Sequence, residues 1–235
     1  PDADRPNEGV FALEDDDKQW LSLRYDLTAP LARYVAENYD GLPKPFRRFQ
    51  WGPVWRNEKP GPGRYRQFLQ IDADTVGAGN MGADAEICMM AADCMAALGM
   101  STGEYLVRIN NRKIMDGLLQ RIGLTNEPAD YETRRLTILR AIDKYDRLGL
   151  AGVRDLLGAG RRDESGDFTA GAGLDDAQID AVAGLISAQG ASRPEMLDAL
   201  EAQIGDTASG ADGIAELREM DALFTRLGYG VERLC

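Results

Sequence analysis

Along the first half of this chain the apolar residues change period repeatedly, from alternation to helical spacing and back, whereas after Asn126 they keep to helical spacing. In QWLSLRYD, Gln19 to Asp26, the residues Leu21, Leu23 and Tyr25 alternate with Trp20, Ser22, Arg24 and Asp26, which predicts a strand whose polar face carries Arg24 and Asp26. LTAPLARYVAENY then sets Thr28 ahead of Pro30 and puts Leu31, Tyr34 and Val35 at helical spacing, so a helix is expected with Thr28 as its N-cap. Phe46 to Trp55 and Phe68 to Val76 both have strand patterns, and Pro60, Gly61, Pro62 and Gly63 between them force a turn. An antiparallel hairpin is the expected result. On its second strand Phe68, Gln70, Asp72 and Asp74 share one face, and Leu69, Ile71 and Ala73 the other.

Beyond the hairpin, Ala83 to Leu98 is strongly apolar and ends at Gly99, which predicts a helix whose Met89, Met90 and Met95 fill a core and whose Cys88 and Cys94 are small buried hydrophobes. Glu104 to Asn110 has the pattern of another strand, and Arg112 to Ile122 that of a helix closed by Gly123. Mixed helices and strands with an antiparallel pair predict the α+β class and not a doubly wound parallel sheet. The later helices are expected over Tyr131 to Leu148, Ala151 to Leu157, Asp175 to Gln189, Pro194 to Ile204 and Gly213 to Leu227. Gly158 to Gly173 is expected to be a loop. Three segments result: a mixed unit over 1–125, a helical unit over 126–228, and the beginning of a further strand over 229–235.

With 44% hydrophobic and 28% charged residues the chain has the make-up of a soluble globular protein, and its longest apolar runs are too short to span a bilayer. The first residues lack the basic start and apolar core of a secretory signal, and Cys88, Cys94 and Cys235 are too scattered for a disulfide framework, so a cytoplasmic location is expected. Histidine is absent, which removes His general bases, Ser-His triads and His metal sites. Carboxylates, arginines and a metal carried by the substrate remain. The glycine cluster GAGRR lacks the Lys-Ser/Thr of a phosphate-binding P-loop.

Charge singles out the hairpin. The chain carries a net −12, yet Gly41 to Gln70 holds seven basic residues against the single acid Glu58. Guanidinium forks match phosphate oxygens, and clustered arginines on a rigid hairpin suit a polyphosphate. A solvated basic loop is the plainer alternative. Against it stand Asp72 and Asp74 on the strand that follows, since cationic and anionic halves together suit a substrate with phosphates at one end and an amine at the other.

LRYDLTAPLARY, Leu23 to Tyr34, and GPVWRNEKPGPGRYRQFLQIDADTVG, Gly52 to Gly77, together resemble two segments of the histidyl-tRNA synthetases, a family of class II aminoacyl-tRNA synthetases. The first is similar to the family's early histidine-site segment and the second to its motif 2: aromatic-Arg-x-Glu, a Pro/Gly turn, Gly-Arg-Tyr-Arg-Gln-Phe, then Gln and an acid four residues on. NNRKIMDGLL, Asn110 to Leu119, extends the likeness. The resemblance implies that 1–125 is part of an antiparallel-sheet catalytic core, that 126–228 is the helical insertion domain that leans over the tRNA acceptor stem, and that 229–235 starts a strand returning to the core. It implies a histidine–tRNA ligase, in which histidine and ATP with its Mg2+ form histidyl-adenylate and histidine then passes to tRNA(His).

Carried over by position, the resemblance makes Arg56 the catalytic arginine on the α-phosphate of ATP. Glu58 would read the adenine amino group, Phe68 would stack on the adenine ring and Arg64 would reach the terminal phosphates. Asp26, Thr28, Gln70 and Asp74 would form the histidine pocket, and no resident metal is implied. Alternation alone already places Asp26, Gln70 and Asp74 on polar faces. Motif 1, the glycine-rich motif 3, the Arg-Gly-Leu-x-Tyr-Tyr-Thr-Gly stretch and an anticodon-binding domain have no counterpart in these 235 residues. The expectation is therefore a piece of a longer, homodimeric enzyme, silent by itself. The rival expectation is a synthetase-like regulatory subunit of ATP phosphoribosyltransferase, which usually lacks the helical insertion and erodes the motif 2 arginines. A helical interaction module docking through the basic hairpin would leave Gln70, Asp72 and Asp74 without a purpose.

Overall fold

The computed structural model describes residues 9–124, 131–162, 166–188 and 190–235. The chain divides into two compact units between Ala83 and Asp84. The 125/126 boundary expected from the sequence falls outside the described residues.

In the first unit β1 (Ala12–Glu14) pairs antiparallel with β2 (Trp20–Ser22), α1 spans Thr28–Asn38, and β3 (Phe46–Trp55) pairs antiparallel with β4 (Gln67–Val76). The β1–β2 turn is pinned by the Asp15 carboxylate, which accepts from the backbone N–H of Asp17 at 2.9 Å and of Gln19 at 2.8 Å. The strand expected over Gln19 to Asp26 is thus only three residues long. Past it the Leu23 N–H still donates to the Phe11 carbonyl at 2.9 Å, and the Arg24 carbonyl then accepts from the N–H of Trp55 at 3.0 Å. The β3–β4 hairpin forms as the pattern predicts, in the register Arg48 opposite Asp74, Gln50 opposite Asp72, Gly52 opposite Gln70 and Val54 opposite Phe68.

One expectation about this unit is corrected. Thr28 is not the cap of α1: the N-cap position is Leu27, and the first-turn N–H of Ala29 is satisfied by the Asp26 carboxylate at 2.8 Å. Both residue types can cap, and Asp26 is the one whose oxygen reaches the orphan donor. The apolar face of the hairpin is not its buried face: Phe49 is 82% exposed and Ile71 76%, with Trp51 and Leu69 exposed beside them, while Gln70, Asp72 and Asp74 on the other face are half-buried. In this unit Leu27, Leu31 and Val54 are the buried hydrophobic residues among those described.

The second unit is helical. After α2 (Met81–Ala97) come α3 (Arg112–Arg121), α4 (Tyr131–Ile142), α5 (Tyr145–Leu157), α6 (Asp176–Ile186), α7 (Arg193–Ile204) and α8 (Ala208–Arg226). Its core gathers Ile138, Val153, Leu157, Val182 and Ile204, all fully buried, around α3. The helices start where capping chemistry places them: Asp175 and Gln178 form a reciprocal capping box on α6, and Ser192 and Thr207 cap α7 and α8. Gly117 lets α3 lie directly on α8, since a Cβ there would sit 2.6 Å from the Cα of Gly210.

Here too the pattern needs amending. α2 is apolar on every side, more than its neighbours cover, so only Ala85 and Ala92 are buried while Cys94, Met95 and Leu98 are exposed and Cys88 is half-buried. The stretch Gly158 to Gly173 carries a hairpin, β5 (Gly160–Arg162) with β6 (Phe168–Ala170), whose residues 163–165 lie outside those described. The break expected after Leu148 is present at Gly149, with φ +64°, and a second break separates α4 from α5. Glu104 to Asn110 forms no regular strand. Val107 makes a parallel bridge with Leu234, its N–H donating to the Arg233 carbonyl at 3.0 Å and its carbonyl accepting from Cys235 at 2.9 Å. Arg193, only 11% exposed, fastens the same terminal segment by pairing with Asp221 at 2.5 Å and donating to the carbonyls of Leu234 at 2.8 Å and Tyr229 at 2.9 Å.

Candidate active site

The inner face of the hairpin sets Arg48, Gln50, Gly52 and Val54 beside Phe68, Gln70, Asp72 and Asp74, because residues two apart on a strand share a face and the register aligns the two sets. The segment between β2 and α1 lies along this face. Arg24 donates from Nε to the Pro53 carbonyl at 2.8 Å. Its guanidinium crosses Gly52 so closely that a Cβ there would be 2.6 Å from Nη2, which gives that glycine a local reason. Thr28 Oγ1 donates to Asp72 at 3.3 Å, and Asp26 is turned back to its own helix.

Arg56, at the end of β3, is held where an arginine is ready to meet an anion. Its guanidinium lies over the Tyr25 ring at 4.6 Å and the Phe68 ring at 5.1 Å, and Nε donates to the Tyr25 carbonyl at 3.4 Å. These contacts orient the planar group without a carboxylate partner of its own among those found for it. Glu58 accepts from Tyr25 Oη at 3.2 Å and from Arg64 Nη1 at 3.5 Å, and its carbonyl accepts from Arg66 Nε at 3.1 Å. Arg64 itself is about three-quarters exposed, at 74%. The loop is thereby shaped from within, by the Gly61–Arg64 turn and by the Arg56 N–H donating to the Arg66 carbonyl at 2.9 Å.

Deeper in the face, Arg48 Nη2 lies 3.0 Å from Asp74 Oδ2 and donates to the Leu27 carbonyl at 3.1 Å, while Nη1 donates to the Gln50 side-chain oxygen. The contact with Asp74 is close enough for an ion pair but off line for a hydrogen bond. Asp74 Oδ2 and Gln70 Oε1 are therefore buried acceptors without a hydrogen-bond donor, as Arg48 Nε is a buried donor without an acceptor. Each such group costs roughly 1–3 kcal/mol unless something supplies the missing partner. A cleft of about 370 Å³ beside the site is lined by Arg24, Tyr25, Asp26 and Arg33 and does not extend to Gln70 or Asp74.

Residues 2–234 match the family model described as histidyl-tRNA synthetase. The chain belongs to the histidyl-tRNA synthetase family. It is 57% identical over 229 residues to a histidine–tRNA ligase of Methylocella silvestris and 58% identical over 229 residues to one of Brucella ovis. Each alignment takes in 97% of this chain and 45% of the relative, so the chain spans about half the length of the curated relatives it matches. Among solved structures, the histidyl-tRNA synthetase of Nostoc sp. PCC 7120 superposes with a TM-score of 0.77 at 26% identity, over 97% of this chain and 48% of that one. A Bacillus halodurans structure titled as an ATP phosphoribosyltransferase regulatory subunit/histidyl-tRNA synthetase shares the fold, with a TM-score of 0.72 at 22% identity.

For this synthetase-family chain the hairpin face brings together Phe68, Gln70 and Asp74 with Arg56 at its rim, and Thr28 joins them through Asp72. Glu58 and Arg64 meet in the loop. Asp26 stands at the head of α1 with one oxygen committed to the Ala29 N–H. In the sequence Arg48 stands out only as charge, and nothing singles out Gln50. Alternation along β3 puts both on the same face as each other, and pairing with β4 puts them opposite the acids.

Proposed function

We propose that this chain is the part of a longer histidine–tRNA ligase in which histidine is activated by ATP. The observation that carries the proposal is the hairpin's inner face, where an aromatic-held arginine, Arg56, lies at one end and the unfilled acceptors of Gln70 and Asp74 at the other. Phosphates and an amino acid need opposite electrostatics, and this face offers both within one element.

In the proposed reaction an oxygen of the histidine carboxylate attacks the α-phosphorus, the bond to the bridging oxygen breaks, and pyrophosphate leaves with its electron pair. No proton need move at the reacting centre, so a chain without histidine is no obstacle. Arg56 offsets the negative charge that builds on the α-phosphate, and the Tyr25 and Phe68 rings that hold it set its orientation beforehand. Mg2+ arrives with ATP as part of that substrate. Glu58 is assigned to the adenine amino group, Phe68 to the adenine ring and Arg64 to the terminal phosphates. Asp26, Thr28, Gln70 and Asp74 are assigned to histidine, with the carboxylates toward its ammonium and imidazole. A ribose hydroxyl of tRNA(His) then attacks the carbonyl carbon, the bond from that carbon to the phosphate oxygen breaks, and AMP leaves with the electron pair while its phosphate takes up the hydroxyl proton.

In the longer protein we assign 1–125 and 229–235 to the catalytic core and 126–228 to an inserted helical domain toward the tRNA. The pairing of Val107 with Leu234, both in the second compact unit, brings 229–235 back beside the segment ahead of α3. A homodimer in the cytoplasm completes the proposal; no described helix is long and apolar enough to cross a membrane. The test is ATP–pyrophosphate exchange by the longer protein with each amino acid in turn. Exchange with histidine alone is expected, and exchange with another amino acid or with none contradicts the assignment.

A further inference from the structure

We propose that Arg48 is a positioning residue for the substrate: it holds the Asp74 carboxylate in place and offsets its charge, so that the pocket takes the histidine imidazole in its neutral form. This rests on the assignment of Asp74 to the imidazole.

Arg48 and Asp74 are direct partners across the hairpin, with side chains only 15% and 20% exposed and Nη2 3.0 Å from Oδ2. The guanidinium is fixed from three directions, by Gln50 on its own strand, by Asp74 on the next, and by the Leu27 carbonyl at the entry to α1. A planar fork held in this way keeps its charge and its place. Yet the ion pair leaves Asp74 Oδ2 without a hydrogen-bond donor, and Gln70 Oε1, two residues earlier on the same face, is in the same state. What this arrangement lacks is N–H donors; positive charge is already supplied. A neutral imidazole provides one N–H and no net charge. An imidazolium would bring a second cation against a guanidinium that cannot move away, and like charges disfavour the charged form.

The other charged groups on this face have partners of their own. Arg24 donates to Pro53, Asp26 accepts from Ala29, Asp72 accepts from Thr28, and Arg56 lies on its two rings. None of these partners is Arg48, so a change in proton dependence on substituting it reports on the Arg48–Asp74 pair. An arginine that merely tied β3 to β4 would affect stability and leave that dependence alone.

The experiment measures the histidine KM in ATP–pyrophosphate exchange between pH 8 and pH 6 on the longer protein, across the titration of free histidine near ~6.5. For the native protein the KM should rise as the pH falls and imidazolium replaces imidazole. Arg48→Met should raise the KM about tenfold at pH 8, leave the ATP KM within about twofold, and reverse the slope, because a bare carboxylate prefers the cation. Arg48→Lys keeps the charge and should keep the native slope. An Arg48→Met enzyme with the native slope overturns the proposal, as does equal loss of histidine and ATP in both Arg48 variants. Should Arg48→Met fail to fold, Asp74→Asn decides: removing the anion while keeping Arg48 should steepen the native slope, and an unchanged slope overturns the proposal. Absence of histidine-dependent exchange in the native protein would instead sink the functional assignment on which this one rests.

Discussion

In the helical unit Ile138, Val153, Leu157, Val182 and Ile204 are wholly enclosed, whereas in the hairpin unit Phe49, Trp51, Leu69 and Ile71 stand exposed and the half-buried face is the polar one. The three buried polar atoms without hydrogen-bond partners among the described residues, on Arg48, Gln70 and Asp74, all belong to the hairpin unit. One unit encloses a core of apolar groups and caps α3, α6, α7 and α8 with side chains. The other keeps acceptors unfilled and an arginine poised on aromatic rings. Stability concentrated in one place and unsatisfied chemistry in another is what a binding site requires, because a group already satisfied has nothing to offer a ligand.

Substitutions can break this contrast, and the largest effect should come from the helical core. Phe224 is 2% exposed, and Phe224→Ala should cost about 3–5 kcal/mol in a denaturant titration. A loss under about 1 kcal/mol would mean that this core is not packed as described. Asp175→Ala removes one half of the capping box on α6 and should cost ~1 kcal/mol by the same measurement.

A smaller effect is expected from Asp93. The hydrogen bond from Tyr229, and after it that from Arg233, holds this carboxyl below the ordinary carboxylate range. A depressed carboxylate stabilises the fold above its unfolded pKa, near ~3.9, and that contribution is lost as the pH falls through the lower folded value. Asp93→Asn should therefore remove a modest part of the acid limb of the stability profile and leave the profile parallel to the native one between about pH 6 and 8. The group is largely exposed, so screening keeps the effect small. Smallest of all should be Trp51→Ser, at 70% exposure: a change within about 0.5 kcal/mol for this chain sharpens the contrast, and a loss of several would show that the outer face is packed.

Much of this was legible in the sequence, and the gaps have physical causes. Alternation and the Pro-Gly turn located β3 and β4 and put Gln70, Asp72 and Asp74 on one face. Alternation says which residues share a face; it cannot say which face will be covered, and Leu69 and Ile71 stand outside. At the head of α1 two residues able to cap stand two positions apart, and the fold decides that Asp26 takes the Ala29 N–H while Thr28 reaches Asp72. The partner of Val107 is Leu234, far along the chain, so a local pattern had no means of showing how short that pairing would be. Arg48 was visible as a charge, but its task depends on Leu27 and Asp74, which are distant in sequence.

In the proposed function the inner face of the hairpin is where histidine is activated, with Arg56 as the group that stabilises the α-phosphate. Histidine-dependent ATP–pyrophosphate exchange by the longer protein, native against Arg56→Ala, tests it most directly, with circular dichroism to confirm that both are folded. Arg56→Ala should lower kcat/KM by about 10²-fold or more, the scale of losing one preorganised charge partner in the transition state. A folded Arg56→Ala enzyme that exchanges within about twofold of native would contradict it.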